Sequence, residues 1–280
     1  MNANSNYAVR AMMLLVVCAL PGMAVRADQL DDIRHHGVLI IGVLGTDEPN
    51  SFVDPTTRQY VGYEVDLGNA IAQRLGVKAS FTQLAVAARI PELQQGRVDI
   101  LAATLTHTKE REALIDFSLT TLVTGQRVMV RSNGGITELA QLAGKKVVTA
   151  KGGTQEINIR KAVPSVDVVT FETAQQAFLA FRQGKGVGYV NDEVSLLSDY
   201  SKLGADQQHY VILPQSISTE PIAIGIRKGQ PSLKAAIDDA LRDMERSGEG
   251  AKLFVKWFGA DSRLKIPTRS FKFDSDKIPD

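Results

Sequence analysis

Val38-Leu39-Ile40-Ile41-Gly42-Val43 is six apolar or small residues in a row. A short apolar run with no polar face is the pattern of a strand buried on both sides. Leu67, Ile71 and Leu75 follow at four-residue spacing, one stripe of a helix, and Gly76 stops it. Ile90-Pro91-Glu92-Leu93 opens a short helix with proline in its first turn, closed by Gly96. Residues 98–103 form the next apolar run. This order reads β, α, β, α, β and predicts a mostly parallel α/β sheet. Between the first strand and its helix, residues 45–60 are rich in turn formers, with Pro49, Asp54-Pro55 and Thr56-Thr57.

A second block of the same design begins near Gln126. It predicts a helix over 137–142, a strand over 146–150, a helix over 154–162 and a strand over 166–170. A helix over 173–183 has Thr173 and Gln176 in capping-box spacing and Gly184 at its end. A strand follows over 188–191. Phe181-Arg182-Gln183-Gly184-Lys185-Gly186 echoes Leu93-Gln94-Gln95-Gly96-Arg97-Val98, which suits two lobes of like design. The chain then supplies a strand over 222–226 and a helix from Pro231 with Leu233, Ile237, Leu241 and Met244 on one face. Leu253, Phe254 and Trp257 line a last helix, and residues 263–280 read as a surface tail.

The 280 residues are 44% hydrophobic and 22% charged, which excludes wholesale disorder, collagen and coiled coil. That length suits one large or two small domains. Net charge is +1, with no excess of basic residues to bind nucleic acid. One cysteine and four histidines exclude a disulfide framework and a multi-cysteine metal site, and no cofactor is expected.

Residues 1–27 read as a cleaved secretory signal. Arg10 precedes the apolar run 11–20, Pro21-Gly22 breaks it, and Val25-Arg26-Ala27 offers small residues to a peptidase. As a helix that run spans about 15 Å, half of a bilayer core. Cys18 raises a lipoprotein alternative, disfavoured by the bulk of Val17 before it. Export is expected to the periplasm. The signal holds Arg10, Arg26 and no acid, so the remainder has 30 Lys+Arg against 31 Asp+Glu, and no thiol.

Gly62-Tyr63-Glu64-Val65-Asp66-Leu67, Arg89-Ile90-Pro91-Glu92-Leu93-Gln94-Gln95-Gly96, and Thr104, Thr106, Arg111 and Asp116-Phe117-Ser118 fall in a specific order. Leu142-Ala143-Gly144-Lys145-Lys146-Val147, Gly152-Gly153-Thr154, Asp192 and Lys256-Trp257-Phe258-Gly259 continue it. In this order and spacing the chain resembles the extracytoplasmic amino-acid-binding proteins of polar-amino-acid ABC uptake systems, bacterial solute-binding family 3. Pro214-Gln215-Ser216 and the basic tail look closest to its glutamate/aspartate-binding branch. The resemblance implies a two-lobed periplasmic-binding-protein fold of type II, α/β, with the ligand in the cleft between lobes and a two-strand hinge. Its crossings fall near 123–127 and 218–223. The expected division is 28–125 for the first part of lobe one, 126–220 for lobe two, and 221–280 for the completion of lobe one and the tail.

The resemblance also assigns ligand-binding roles. Arg111 matches the arginine on the α-carboxylate, a task its planar fork suits. Thr104 and Thr106 match contacts to the α-amino and α-carboxylate groups. Gly152 and Thr154 lie where backbone amides approach an anion at a helix start, although a plain turn capped by Thr154 fits the same residues. Asp192 matches the carboxylate on the α-ammonium, with a helix N-cap as its ordinary alternative. Phe52 matches the aromatic wall, with a core role beside it. Arg89 matches a residue facing the ligand side chain, which favours an acidic or amide amino acid. Asp66 and Asp116 match structural motifs. Three departures weaken an acidic ligand: Leu44 stands where a basic residue is usual, 84–88 is apolar, and Ala174 replaces a polar group. A small neutral amino acid is therefore the alternative. Lys151 is a candidate substitute cation, and His107 a candidate contact or a structural histidine.

The implied function is a non-enzymatic, monomeric carrier that hands a free amino acid to an inner-membrane ABC permease. The alternatives are a dehydratase-like enzyme and a ligand sensor. No Gly-x-Ser-x-Gly, His-Glu-x-x-His or phosphate loop is present. Glu156 and Glu193 are the carboxylates nearest the presumed ligand loops.

Overall fold

The computed structural model describes residues 29–278, so the expected signal and Cys18 lie outside the described residues. Helix α1 (Gln29–His36) ends in exposed His35 and His36 and leads into β1 (Val38–Val43). The turn-rich 45–60 segment carries a separate antiparallel sheet of β2 (Thr46–Asp47), β3 (Ser51–Val53) and β4 (Tyr60–Val61). Strands of two or three residues are too short to leave a period in the sequence. Then come α2 (Tyr63–Leu75), β5 (Lys78–Gln83), α3 (Arg89–Gln94), β6 (Ile100–Leu101) and α4 (Lys109–Glu112). Gly76 takes a left-handed conformation and its N–H closes on Ala72 and Gln73, which ends α2 as expected.

A single long strand, β7 (Ile115–Arg131), leaves this half and enters the next. The second half holds β8 (Lys146–Ala150), α5 (Gln155–Ala162), β9 (Asp167–Phe171), α6 (Ala174–Arg182), β10 (Gly188–Asp192), α7 (Glu193–Ser201) and β11 (Tyr210–Ile212). Thr173 caps α6 by accepting the Gln176 N–H at 3.2 Å. The segment 137–142 is one 3₁₀ turn, Leu139–Leu142, rather than an α-helix. The chain returns through β12 (Ser218–Arg227) to α8 (Pro231–Arg246) and α9 (Glu249–Phe258).

Strand order explains the two lobes. Nine strands join in the order β5-β1-β6-β12-β7-β10-β8-β9, with β11 also on β7. Parallel triplets β5-β1-β6 and β10-β8-β9 stand on either side of an antiparallel pair, β12 and β7. The pair is the two-strand hinge: Ser218 stands opposite Gln126 and Ile222 opposite Leu122, and its register shifts at Ile222/Ala223. Two apolar clusters draw on residues 30–122 and 222–273, joined by Val194, and two others on residues 128–213. In α8 the stripe Leu233, Ile237, Leu241 and Met244 is fully buried. Each such side chain contributes about 1.5–3 kcal/mol of hydrophobic stabilisation.

The expected surface tail is corrected. Phe273 is fully buried and Phe271 nearly so, and the Arg269 guanidinium lies 4.6 Å from each ring. Arg269 also makes a bidentate pair with Glu245 at 3.0 and 2.8 Å. The Ser275 carbonyl then accepts the Thr120 N–H of β7 at 2.7 Å. Two aromatics among basic residues form an anchor here, which a reading by charge alone passes over.

Candidate functional site

A cavity opens between the lobes, just beyond the carboxyl ends of β1, β6, β8 and β10. Open α/β sheets place ligands there, where strand directions leave a crevice. Arg89, Thr104, Thr106 and Arg111 line it from the first lobe, and Thr154, Gln155 and Asp192 from the second.

Thr104 follows β6 with φ of 48°, a left-handed conformation that β-branched residues avoid. Its neighbours hold it there. Its N–H donates to Glu64 Oε1 at 2.6 Å and its hydroxyl to Asp47 Oδ2 at 2.8 Å. Its carbonyl accepts from Arg89 Nη1 at 2.9 Å. Glu64 Oε2 lies 3.2 Å from the same hydroxyl. One hydroxyl hydrogen serves one acceptor, so this second contact forms best when Glu64 carries the proton. Burial does push Glu64 up to about 7.

Donor counting separates the two arginines, since a guanidinium has five N–H groups. Arg89, 3% exposed, gives Nε to Val86 O, Nη1 to Ala103 O and Thr104 O, and Nη2 to Gly152 O. Four of its donors serve main-chain carbonyls. Burial and the neighbouring Arg111 lower it to about 9, so it stays cationic at neutral pH. Arg111 rises from α4, whose first turn Thr108 caps by accepting the Arg111 N–H at 3.2 Å. Its guanidinium gives one bond to Thr106 O at 2.8 Å and one to Gly152 O at 3.2 Å, which leaves three donors. His107, beside it, is buried, stacked 4.2 Å from Phe117 and bonded to Glu112 at 2.8 Å, and it does not line the cavity.

On the second lobe, Gly152 has φ of 84° and, contrary to expectation, lies outside the cavity lining, which holds its neighbour Gly153. A Cβ on Gly152 would stand 2.6 Å from Ala87 Cα of the first lobe, so only glycine lets these loops meet. The Gly152 carbonyl, not its N–H, faces the two arginines. Thr154 does not cap α5. Its hydroxyl donates to Glu220 Oε2 at 2.8 Å and accepts from Gln126 Nε2 at 2.8 Å. Glu220 and Gln126 sit on the hinge strands, and Asn158 of α5 donates to both at 2.8 and 2.9 Å. Thr106 Oγ1 of the first lobe is 3.4 Å from the Thr154 hydroxyl. Asp192 starts α7 without capping it, and its Oδ1 accepts from Gln155 Nε2 at 3.3 Å. Burial, with Glu220 and Asp47 nearby, pushes Asp192 up to about 8.

Phe52 is a correction. It lies in β3 with its ring edge-on to Trp257 at 6.1 Å, and the cavity lining does not include it. Lys151 is exposed outside the lining. Glu156 pairs with Arg160 and Glu193 with Arg127, so both are structural surface ions. Asp66 accepts from Lys256 and Trp257, and Asp116 from Lys228. Sequence reasoning missed Asp47, Glu64, Gln126, Asn158 and Glu220. Glu64 was visible in the Gly-Tyr-Glu-Val-Asp-Leu motif, whereas Asp47 stood in a stretch read only as turn.

Chemically, Arg111 brings three spare donors to the cleft from the first lobe and Asp192 a carboxylate from the second. These suit a molecule with a carboxylate and an ammonium on one carbon. The family model described as bacterial extracellular solute-binding proteins, family 3, matches residues 39–260. A glutamine-binding protein of an ABC transporter from Bacillus subtilis is 29% identical over 261 residues, 90% of this chain and 94% of the relative. A glutamate/aspartate import solute-binding protein of Salmonella typhimurium is 29% identical over 248 residues, covering 85% and 82%. The crystal structure of an ancestral amino-acid-binding protein, a precursor of cyclohexadienyl dehydratase, superposes with a TM-score of 0.75 at 32% identity, covering 82% of this chain and all of that one.

Proposed function

The chain belongs to the bacterial extracellular solute-binding proteins, family 3, and from that membership we propose a carrier that captures one free amino acid and delivers it to an ABC permease. Its lobes divide at about 125 and 220, it acts as a monomer in the periplasm, and residues 1–27 are its removed signal. Among the described residues no helix is long and apolar enough to cross a membrane. Arg111 takes the α-carboxylate, Asp192 the α-ammonium, and Thr104, Thr106, Gly152 and Thr154 shape the cleft around them. Closure by hinge bending on β7 and β12 joins the two halves of this clamp.

Arg89 is the observation that selects the ligand class. With four donors on carbonyls it cannot offer a second fork, and Asp47 also lines the cavity. An acidic side chain there would meet a carboxylate and no open cation. An amide or other uncharged polar side chain fits better, and glutamine is the lead ligand, in keeping with the Bacillus subtilis relative. Glu64 and Asp47 are bound to Thr104, and Arg111 and Asp192 face each other as a clamp, an arrangement that supports binding as the role of this cleft.

A thermal-shift panel of free amino acids at pH 7 tests this. L-glutamine is expected to raise the melting temperature, with L-glutamate binding at least about tenfold more weakly. Tighter glutamate binding overturns the neutral side chain, and no shift with any amino acid overturns the carrier.

Asp192 adds a pH dependence. With the lobes in contact, burial favours the protonated carboxyl, and an incoming ammonium displaces that proton. The complex binds fewer protons, so affinity rises between pH 6 and 8, by up to about tenfold per unit. Calorimetry in buffers of different ionisation enthalpy reads the released proton. Zero release at pH 7 removes Asp192 from the ammonium.

A further inference from the structure

Thr46, Asp47 and Glu48 reach across the cleft at three consecutive residues. Gln175 Nε2 of α6 donates to the Thr46 carbonyl at 2.7 Å. Ser195 Oγ of α7 donates to Asp47 Oδ1 at 2.7 Å. Lys202, just after α7, pairs with Glu48 at 3.0 Å. Beside them Val194 packs into the first-lobe core. None of these groups belongs to the Arg111–Asp192 clamp, and all the bonds join chain to chain.

The three bonds differ in strength. Glu48 and Lys202 are 23% and 33% exposed, so solvent screens that pair. Asp47 and Ser195 are 5% and 3% exposed, and a buried hydroxyl on a carboxylate is a strong bond. Asp47 is held ready for it, since its other oxygen already accepts from Asn50 at 2.9 Å and Thr104 at 2.8 Å. A chain of polar contacts also ties the latch to the cavity. Asn191, in the lining, donates to the Tyr189 hydroxyl at 2.7 Å, and that hydroxyl donates to Asp199 at 3.2 Å. Asp199 lies 3.9 Å from the same Lys202.

We propose that Thr46-Asp47-Glu48 is a closure latch for Gln175, Ser195 and Lys202, and that it sets how long the bound amino acid stays. This rests on the carrier reading only for its ligand. Contacts made solely when the lobes meet slow their parting and leave capture alone, so they act on koff. Ser195 is a positioning residue here, acting through the lobes, and Asp47, which also lines the cavity, joins the lobes through its Oδ1.

The test uses L-glutamine on the full mature chain carrying Ser195→Ala, with Glu48→Gln as a second variant on the half-exposed pair. Ser195→Ala is expected to raise koff about tenfold with kon within about twofold, Glu48→Gln to raise it by less, and Ser195→Thr to restore the parent rate. Labels on exposed Gln95→Cys and Lys185→Cys report lobe separation without ligand, where Ser195→Ala is expected to shorten the closed dwell by a similar factor. An unchanged koff, or a loss carried by kon, overturns the latch. Should the parent not bind glutamine, an unchanged closed dwell in the label experiment overturns the latch by itself.

Discussion

Arg111→Ala is expected to weaken amino-acid binding about a hundred- to a thousandfold while the protein stays folded. Truncating one partner of a buried, hydrogen-bonded charge pair typically costs 2–5 kcal/mol, because the other charge is left buried and unpaired. Here that charge is the ligand carboxylate. Only two Arg111 donors hold the chain together, on Thr106 O and Gly152 O, and the side chain is not fully buried. Ligand-free melting is therefore expected within about 3 °C of the parent. Arg111→Lys keeps the charge and loses the fork, so it falls between the two. Calorimetry reads both variants, and an Arg111→Ala affinity within about threefold of the parent refutes the assignment.

Arg89→Met has an equally large effect on a different quantity. Removing this guanidinium leaves the carbonyls of Val86, Ala103 and Thr104 short of donors in a buried place. It also strips the cation facing Glu64, Asp47 and Asp192. Breaking such a buried cluster costs about 3–5 kcal/mol, or roughly 10 °C in melting temperature for a chain of this size. Denaturant unfolding of the ligand-free protein measures it. A variant that melts with the parent but exchanges glutamine for glutamate preference returns Arg89 to the specificity role expected from the family resemblance.

The two arginines mark where sequence reading succeeds and where it stops. Both stand in recognisable motifs, and both line the cleft. Their difference is donor occupancy, which depends on carbonyls 14, 15 and 63 residues away for Arg89. No local pattern carries that. Phe52 misled for a similar reason. The family resemblance implies a wall, with a core role beside it, and the short β2-β3-β4 sheet turns the ring onto Trp257. Asp47 was hidden in the same sheet, since a carboxylate among turn formers reads as solvated until its three partners are in place.

The α/β units, their order and the helix stops are legible in the residues alone. Apolar period, proline and glycine act within a few residues, so their consequences can be read locally. Thr104, Thr154 and Asp192 also fall at strand and helix ends in that reading, whereas Arg111 stands out only through the family resemblance. That the tail is an anchor, that Arg89 is bound to main chain and that Asp47 grips Ser195 emerge from long-range packing. Those outcomes follow from burial and hydrogen-bond saturation, and both are set by residues that meet only when distant segments fold against one another.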